Sequence, residues 1–311
     1  LLGYARYILA KHRVEVIGVT GSVGKTTTKE AIASVLGEER PVFRSPASYN
    51  GRFGLPIALG GLEPGQDLAV LEMACDALDE IRHLAEITRP RVAVVTRIGH
   101  SHLDVFGSLE AIAREKGRLV EALPAEGLAI LNADDPFALA MADRTRACVV
   151  TIGCQTEADY TARLLSISPE GTRFLLRCGG GEVEVCLPLI GEHFAYSALA
   201  AAAVGRYYGL SWEKIAHGLA NVPRLPGRMA WAPAIHGAAL LDDSQSASPE
   251  SALAALEAFA SLKAGRHLVL LGDIGGLGAY REKGHRAVGC RAAEVADLLV
   301  AKGEGAYLAA Q

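Results

Sequence analysis

The sequence predicts an α/β fold: a central domain on a mostly parallel sheet with a small antiparallel meander, followed by the start of a second α/β domain. Three observations carry that expectation. Short, continuously apolar runs alternate with helical patterns up to about residue 150, period-two alternation replaces them near residue 160, and a proline-containing break near residue 225 precedes a fresh strand–helix alternation. The composition agrees. The chain has 311 residues, 50% hydrophobic and 21% charged, which excludes a disordered, collagen-like or coiled-coil chain and leaves room for about two domains.

Taken in order, Leu1 to Lys11 has helical spacing, and Val14 to Val19, Leu68 to Glu72, Val92 to Ile98, Leu128 to Leu131 and Cys148 to Ile152 read as strands. Their apolar character does not alternate, so both faces must be covered, as in a parallel sheet between helices. Lys25 to Leu36, Leu78 to Ile87, Leu109 to Leu123 and Asp135 to Ala142 supply those helices. Tyr160 to Ser166, Thr172 to Arg177 and Glu182 to Leu187 alternate, with turns at Pro169-Glu170-Gly171 and Gly179-Gly180-Gly181, and so predict the meander. An alanine-rich helix from His193 to Tyr208 and a shorter one from Trp212 to Leu219 follow. Val222 to Arg228 breaks the pattern, which sets the expected domains at 1–226 and 227–311. Strands at Ala238 to Leu241, His267 to Leu271 and Leu298 to Val300, with helices at Glu250 to Leu262 and Arg281 to Cys290, then begin a Rossmann-like unit. It is expected to be incomplete, since such a fold typically has about six strands.

Thirty-one basic and 35 acidic residues give a formal charge of −4, too balanced for a nucleic-acid or anionic-membrane surface. The six cysteines form no C-x-x-C pair, which suits reduced thiols in the cytoplasm better than a disulfide or zinc framework. No apolar run is long enough to span a membrane. Small-molecule partners and a monomer are expected.

The strongest motif is Gly18-Val19-Thr20-Gly21-Ser22-Val23-Gly24-Lys25-Thr26-Thr27-Thr28, which directly follows a strand and opens a helix. A P-loop of this kind turns backbone N–H groups and a helix N-terminus toward phosphate oxygens, adds a lysine charge on the outer phosphates and offers a hydroxyl to Mg²⁺. Thr20, Gly21, Ser22, Val23, Gly24, Lys25, Thr26 and Thr27 are therefore the candidate nucleotide-binding residues. Val19 stands where the strict G-x-x-x-x-G-K-T spacing wants glycine, so the fit is to T-G-x-x-G-K-T.

With that loop come Leu71-Glu72-Met73; Ile98-Gly99 with His102-Leu103 and Phe106-Gly107-Ser108; Lys116-Gly117; Leu131 to Asp135; Gly191 with His193; Pro226-Gly227-Arg228; Asp242-Asp243-Ser244; and Leu271-Gly272-Asp273. In this order and spacing the chain resembles the Mur ligase family, and within it the members that add D-alanyl-D-alanine. The resemblance implies an ADP-forming ligase of peptidoglycan precursor synthesis, in which ATP and Mg²⁺ turn a carboxylate into an acyl phosphate for attack by an amine. A UDP-muramoyl peptide and an amine or dipeptide are the implied substrates. It also implies metal ligation by Thr26, Glu72 and His102, and a carbamylated Lys116 as a further ligand. Arg228 would reach the ATP phosphates from the second domain, and Asp242 and Asp243 would border the nucleotide. Lys25, Lys116, His102 and Arg228 are thus the candidate catalytic residues. Without the resemblance, Glu72 sits at a strand's carboxyl end, where ligands bind in open parallel sheets. His102 reads as an ordinary polar residue, since imidazole is not a favoured magnesium ligand. Lys116 reads as a surface charge beside Glu115, Arg228 as a linker charge, and Asp243 or Ser244 as the N-cap of the helix at Pro249-Glu250.

The departures are grouped. Arg97 stands where the family has asparagine before Ile-Gly, Phe194 and Ser197 replace two asparagines after Gly191, and Gln245-Ser246-Ala247-Ser248 and Ala74-Cys75-Asp76 replace amide-bearing segments, although Asn50 is retained. Substrate identity is accordingly less specified than reaction class, and a divergent ligase for another carboxylate, or a nucleotide-binding module without turnover, stays open. The family's UDP-sugar-binding domain is expected to be missing ahead of the first strand and the last domain to break off after Gly303, as in a fragment or a shortened relative. His236, His267, His285, Trp212, Trp231 and the cysteines read as structural.

Overall fold

The computed structural model describes residues 1–47 and 49–311. Helix α1 (Leu2–His12) leads into β1 (Glu15–Thr20), which the phosphate loop joins to α2 (Lys25–Leu36). Then come β2 (Val42–Arg44), α3 (Gly54–Ala58), β3 (Leu68–Glu72), α4 (Glu80–Thr88), β4 (Val92–Val95), α5 (Leu103–Phe106), α6 (Leu109–Lys116), α7 (Arg118–Glu121), β5 (Leu128–Asn132), α8 (Pro136–Leu139) and β6 (Cys148–Gly153). The meander is β7 (Tyr160–Ser168), β8 (Gly171–Cys178) and β9 (Gly181–Leu187), followed by α9 (Ala195–Tyr207) and α10 (Trp212–Ala220).

These nine strands form one sheet in the order β2-β3-β1-β4-β5-β6-β7-β8-β9, parallel through β7 and antiparallel from there to β9. The unbroken apolar runs are explained by burial on both faces. Val92 and Val94 enter one core with α2 and α9, while Ala93 and Val95 enter the other with α1, α4 and α7. Parallel pairing aligns the carboxyl ends of β1, β3 and β4, with Val19 beside Glu72 and Thr20 beside Val95. The functional loops therefore leave the sheet along one edge.

The helix read over 109–123 breaks in two at Gly117. A Cβ there would lie 2.0 Å from the Arg144 guanidinium, which binds the carbonyls of Ala113 and Arg114 at the end of α6. Strand β2 left no sequence signal because three residues are too few for a period, and as an edge strand it pairs with β3 alone.

The second unit contains β10 (Ala230–Pro233), β11 (Ala239–Asp242), α11 (Pro249–Ser261), β12 (Leu268–Gly272), α12 (Arg281–Val295), β13 (Leu298–Lys302) and α13 (Glu304–Ala309). The three strands expected here do not share one sheet. Strand β11 pairs antiparallel with β10, which proline-flanked sequence had concealed, while β12 and β13 form a separate parallel pair. The N-cap of α11 is Ser248 rather than Asp243 or Ser244. Its hydroxyl accepts from Ser251 N–H in a reciprocal capping box, with Pro249 at the first helical position. Among the described residues no helix is long and apolar enough to cross a membrane, and all six cysteines are free.

Candidate functional site

The phosphate loop is shaped by contacts that leave side chains little freedom. Gly21 has φ +146°, and a Cβ there would lie 1.9 Å from Thr96 Oγ1; Gly24 has φ +85°. Both positions need glycine. Thr96 Oγ1 donates to the carbonyl of Val23 at 2.6 Å, and Ser22 N–H donates to the carbonyl of Arg97 at 2.6 Å, so the loop hangs on the end of β4. Thr20 is completely buried and its hydroxyl donates to Met73 O, which makes it a tie between β1 and β3 rather than a free donor. Thr26 and Thr27 lie in the first turn of α2, where backbone N–H groups lack intrahelical partners. Among the described residues Lys25 Nζ donates only to Ser22 O at 3.2 Å. Burial, and after it the neighbouring Lys116 charge, lowers the Lys25 ammonium to about 8, with Glu72 and Cys75 pulling the other way and Arg228 adding to the depression.

Lys25, Glu72, Lys116 and Arg228 therefore share one electrostatic neighbourhood. Glu72 is 2% exposed; Oε1 accepts from Asn50 Nδ2 at 2.7 Å, and the buried Oε2 has no partner among the described residues. Lys116 is 3% exposed, which rules out the surface-charge reading, and its Nζ meets Cys75 Sγ at 3.7 Å. Glu115 turns away from it to cap α4, accepting from Asp79 and Ile81 N–H. His102 lies apart from the buried group. It has φ +57°, remains 45% exposed and pairs with Asp76 at 3.5 Å, at the seam with the second unit. No group of three or more His, Cys, Asp or Glu among the described residues could hold a metal alone. That suits Mg²⁺, which is usually held by one or two carboxylates together with substrate phosphates.

From the second unit, Arg228 and Asp243 line the cleft above the phosphate loop together with Glu250 and Ser251. The buried Arg228 Nε has no partner. Burial raises the Asp243 carboxyl to about 6 although Met229 N–H and Arg228 oppose the shift. Asp242 instead caps its own turn by accepting from Ser244 N–H. The seam is closed by Glu250, whose Oε1 accepts from His100 N–H at 3.0 Å and from His100 Nδ1 at 2.5 Å. The His100 ring stacks on Tyr280 with centroids 3.7 Å apart, and Leu103 N–H donates to Gly276 O.

The far wall of the cleft carries three of the departures, Arg97, Phe194 and Ser197. Arg97, His193, Phe194, Tyr196 and Ser197 line it with Asn132. Ser197 Oγ is engaged with Thr28 Oγ1 at 2.9 Å, and Tyr196 donates to Asp134, leaving Arg97 as the exposed cation. Burial lowers the His193 imidazole to about 4, so the ring is neutral at physiological pH. Sequence reasoning did not single out Thr96 or Glu250, and gave no role to Asn132 within the Leu131 to Asp135 motif. Thr96 follows the end of β4 and Asn132 ends β5, a weak but general signal; Glu250 reaches the cleft only through tertiary packing.

The family profile described as Mur ligase middle domain matches residues 19–205, and that described as Mur ligase, glutamate ligase domain matches residues 227–310. The UDP-N-acetylmuramoyl-tripeptide–D-alanyl-D-alanine ligase of Bacillus subtilis is 35% identical over 287 residues, which are 92% of this chain and 62% of that protein. Its Escherichia coli counterpart is 35% identical over 92% of this chain and 63% of its own length. The chain thus spans about three fifths of the length of these relatives. Among solved structures, MurF of Acinetobacter baumannii superposes with a TM-score of 0.93 at 30% identity, covering 99% of this chain and 68% of that one. MurF ligase of Thermotoga maritima in complex with ADP gives 0.90 at 27% identity, covering 99% and 71%.

Proposed function

The chain belongs to the Mur ligase family, and on that premise we propose that it is an ADP-forming amide ligase that joins D-alanyl-D-alanine to a UDP-muramoyl tripeptide. The observation that carries the reading is the shared electrostatic neighbourhood of Lys25, Glu72, Lys116 and Arg228, in which Glu72 Oε2 and Arg228 Nε are buried without partners among the described residues. Buried polar atoms are nearly always satisfied. An unsatisfied carboxylate oxygen and guanidinium N–H in one charged neighbourhood fit a cation and an oxyanion respectively.

In this reading the loop N–H groups and Lys25 hold the outer phosphates of ATP, and Arg228 adds charge from the second unit. Thr26 and Glu72 would hold Mg²⁺, with His102 and a carbamylated Lys116 as further ligands; bound there, the ion offsets phosphoryl charge during transfer. The substrate carboxylate takes the γ-phosphoryl group and ADP leaves. The amine then attacks the acyl carbon, releasing phosphate and a proton as the amide forms. Because charge is what must be stabilised, prearranged cations supply the rate enhancement and no nucleophilic side chain is required. Asp242 and Asp243 border the nucleotide, and the protein works in the cytoplasm as a monomer on small molecules.

ADP release that requires Mg²⁺, UDP-muramoyl tripeptide and D-alanyl-D-alanine together is the expected result; release with neither acceptor dependence would overturn the assignment. A second reading, nucleotide binding without turnover, is favoured by Arg97, Phe194 and Ser197 on the nucleotide-facing wall. ATP binding with no ADP formed from any acceptor would establish it.

A further inference from the structure

We propose that Lys29, which touches neither nucleotide nor metal, is a positioning residue that fixes the orientation of Glu72. It lies one helical turn beyond Lys25 on the same face of α2. Its side chain is completely buried, a state lysine almost never adopts unless paired. All three ammonium protons have acceptors: Ser45 O at 2.6 Å, Ala47 O at 3.3 Å and Glu30 Oε1 at 3.0 Å. Glu30 is held in turn by Arg44 at 2.7 Å.

Two of those acceptors are carbonyls at the start of the connection that leaves β2, and that connection grips Glu72 twice. Ser45 Oγ, itself completely buried, accepts from the backbone N–H of Glu72 at 3.2 Å. Asn50 Nδ2 donates to Glu72 Oε1 at 2.7 Å, while Asn50 O accepts from Ala74 N–H at 3.0 Å. With its N–H and Oε1 both committed, Glu72 has only Oε2 to offer. Lys29 thus couples the helix that carries the phosphate loop to the segment that aims the carboxylate. A buried charge is a weak source of net stability, since its desolvation cost rivals the attraction it gains. Its value here is geometric. The inference rests on the reading of Glu72 as a metal ligand, and the experiment separates the two.

Mn²⁺ is the probe, titrated by electron paramagnetic resonance in the presence of a non-hydrolysable ATP analogue, with analogue affinity measured separately in EDTA. Lys29→Met keeps the length and apolar stem and removes the three donors. The expected result is about tenfold weaker Mn²⁺ binding, the range typical for losing a group that orients a ligand, with analogue affinity in EDTA unchanged. Ser45→Ala, a smaller change than Lys29→Met, is expected to weaken Mn²⁺ in the same direction, and it decides the matter if Lys29→Met does not fold. Unchanged Mn²⁺ affinity in a folded Lys29→Met, or in Ser45→Ala where that variant must decide, overturns the positioning role. So does an equal loss of analogue affinity in EDTA, which would mark general damage to the phosphate loop. Glu72→Gln is the separate control: if it leaves Mn²⁺ affinity unchanged, the metal-ligand reading falls, whereas loss in Glu72→Gln with none in Lys29→Met removes only the positioning role.

Discussion

Removal of the Glu250 carboxylate should open the seam between the two units. Oε1 of this side chain accepts both the backbone N–H and the ring Nδ1 of His100, across 150 positions of sequence. Burial pushes the carboxyl up, but the two His100 bonds and the helix start around Ser248 outweigh it and hold the group below the usual carboxylate range. Hydrogen bonds to a charged group contribute about 1.5–3 kcal/mol each when shielded from water. With the two side chains 24% and 15% exposed, the lower end applies. Glu250→Ala should therefore cost the closed arrangement about 3 kcal/mol, a roughly 150-fold shift toward open forms, and Glu250→Gln, which can still accept, about half of that. Closure would be read from a donor–acceptor fluorophore pair spanning the seam, and the pairwise part from a double-mutant cycle with His100→Ala. The ring's stacking on Tyr280 is lost in that single mutant as well, and the cycle removes it from the coupling energy. Expected coupling is about 1 kcal/mol. A value within about 0.3 kcal/mol of zero would show that the contact is incidental to closure.

Lys25→Met should lower ATP-analogue affinity about 100-fold, the effect of one strong charged hydrogen bond, with little change in melting temperature because Ser22 O is the only partner of Lys25 Nζ among the described residues; calorimetric titration checks it. Gly21→Ala should destabilise the fold by about 3 kcal/mol or more and abolish nucleotide binding, since the new methyl would overlap Thr96 Oγ1 at a φ of +146°, and urea unfolding measures the loss. Arg228→Ala should weaken nucleotide binding while removing a buried unpartnered Nε, so binding and stability should change in opposite directions or stability stay flat. The buried His193 binds its proton only near pH 4, below its unfolded value of about 6.5. The unfolded chain is thus the better proton acceptor in between, and the His193 contribution is complete above about pH 6.5 and lost as pH falls toward 4. Partial exposure of the ring limits this to about 2 kcal/mol. Asp243, raised to about 6, acts with the opposite sign in part of that window, so the readout is the difference in pH slope between wild type and His193→Phe.

Most of the first unit was legible because local and global preferences agree. Continuous valine and isoleucine runs require burial on both faces, and the structure supplies helices on both. The phosphate loop was legible for a stricter reason, since only glycine fits at 21 and 24. What escaped lies where tertiary contact decides. Strand β2 is too short to show a period, β10 is flanked by proline, and the cap of α11 passed to Ser248 because the chain between Asp243 and Pro249 runs on before the helix begins. Glu250 looked like an ordinary first-turn acid. Nothing local says that Gly99 leaves it room, yet a Cβ at that position would come within 3.0 Å of its carboxyl carbon.

The charges around the cleft connect closure to ligand binding. Lys25, Lys116 and Arg228 lie around Glu72, with Asp243 beside Arg228, and after burial the Lys116 and Arg228 charges add to the depression of the Lys25 ammonium. Such a site is strained until a polyanion enters, and a triphosphate relieves the repulsion between the first unit's lysines and the second unit's arginine at once. Anion binding and approach of the two units then favour each other, and thermodynamic linkage makes the coupling reciprocal. Within one protein the factor by which nucleotide favours closure equals the factor by which closure favours nucleotide, so Glu250→Ala, acting only through the seam, should shift closure itself and leave that factor unchanged. A changed factor would mean that Glu250 contacts the nucleotide directly rather than acting through the seam.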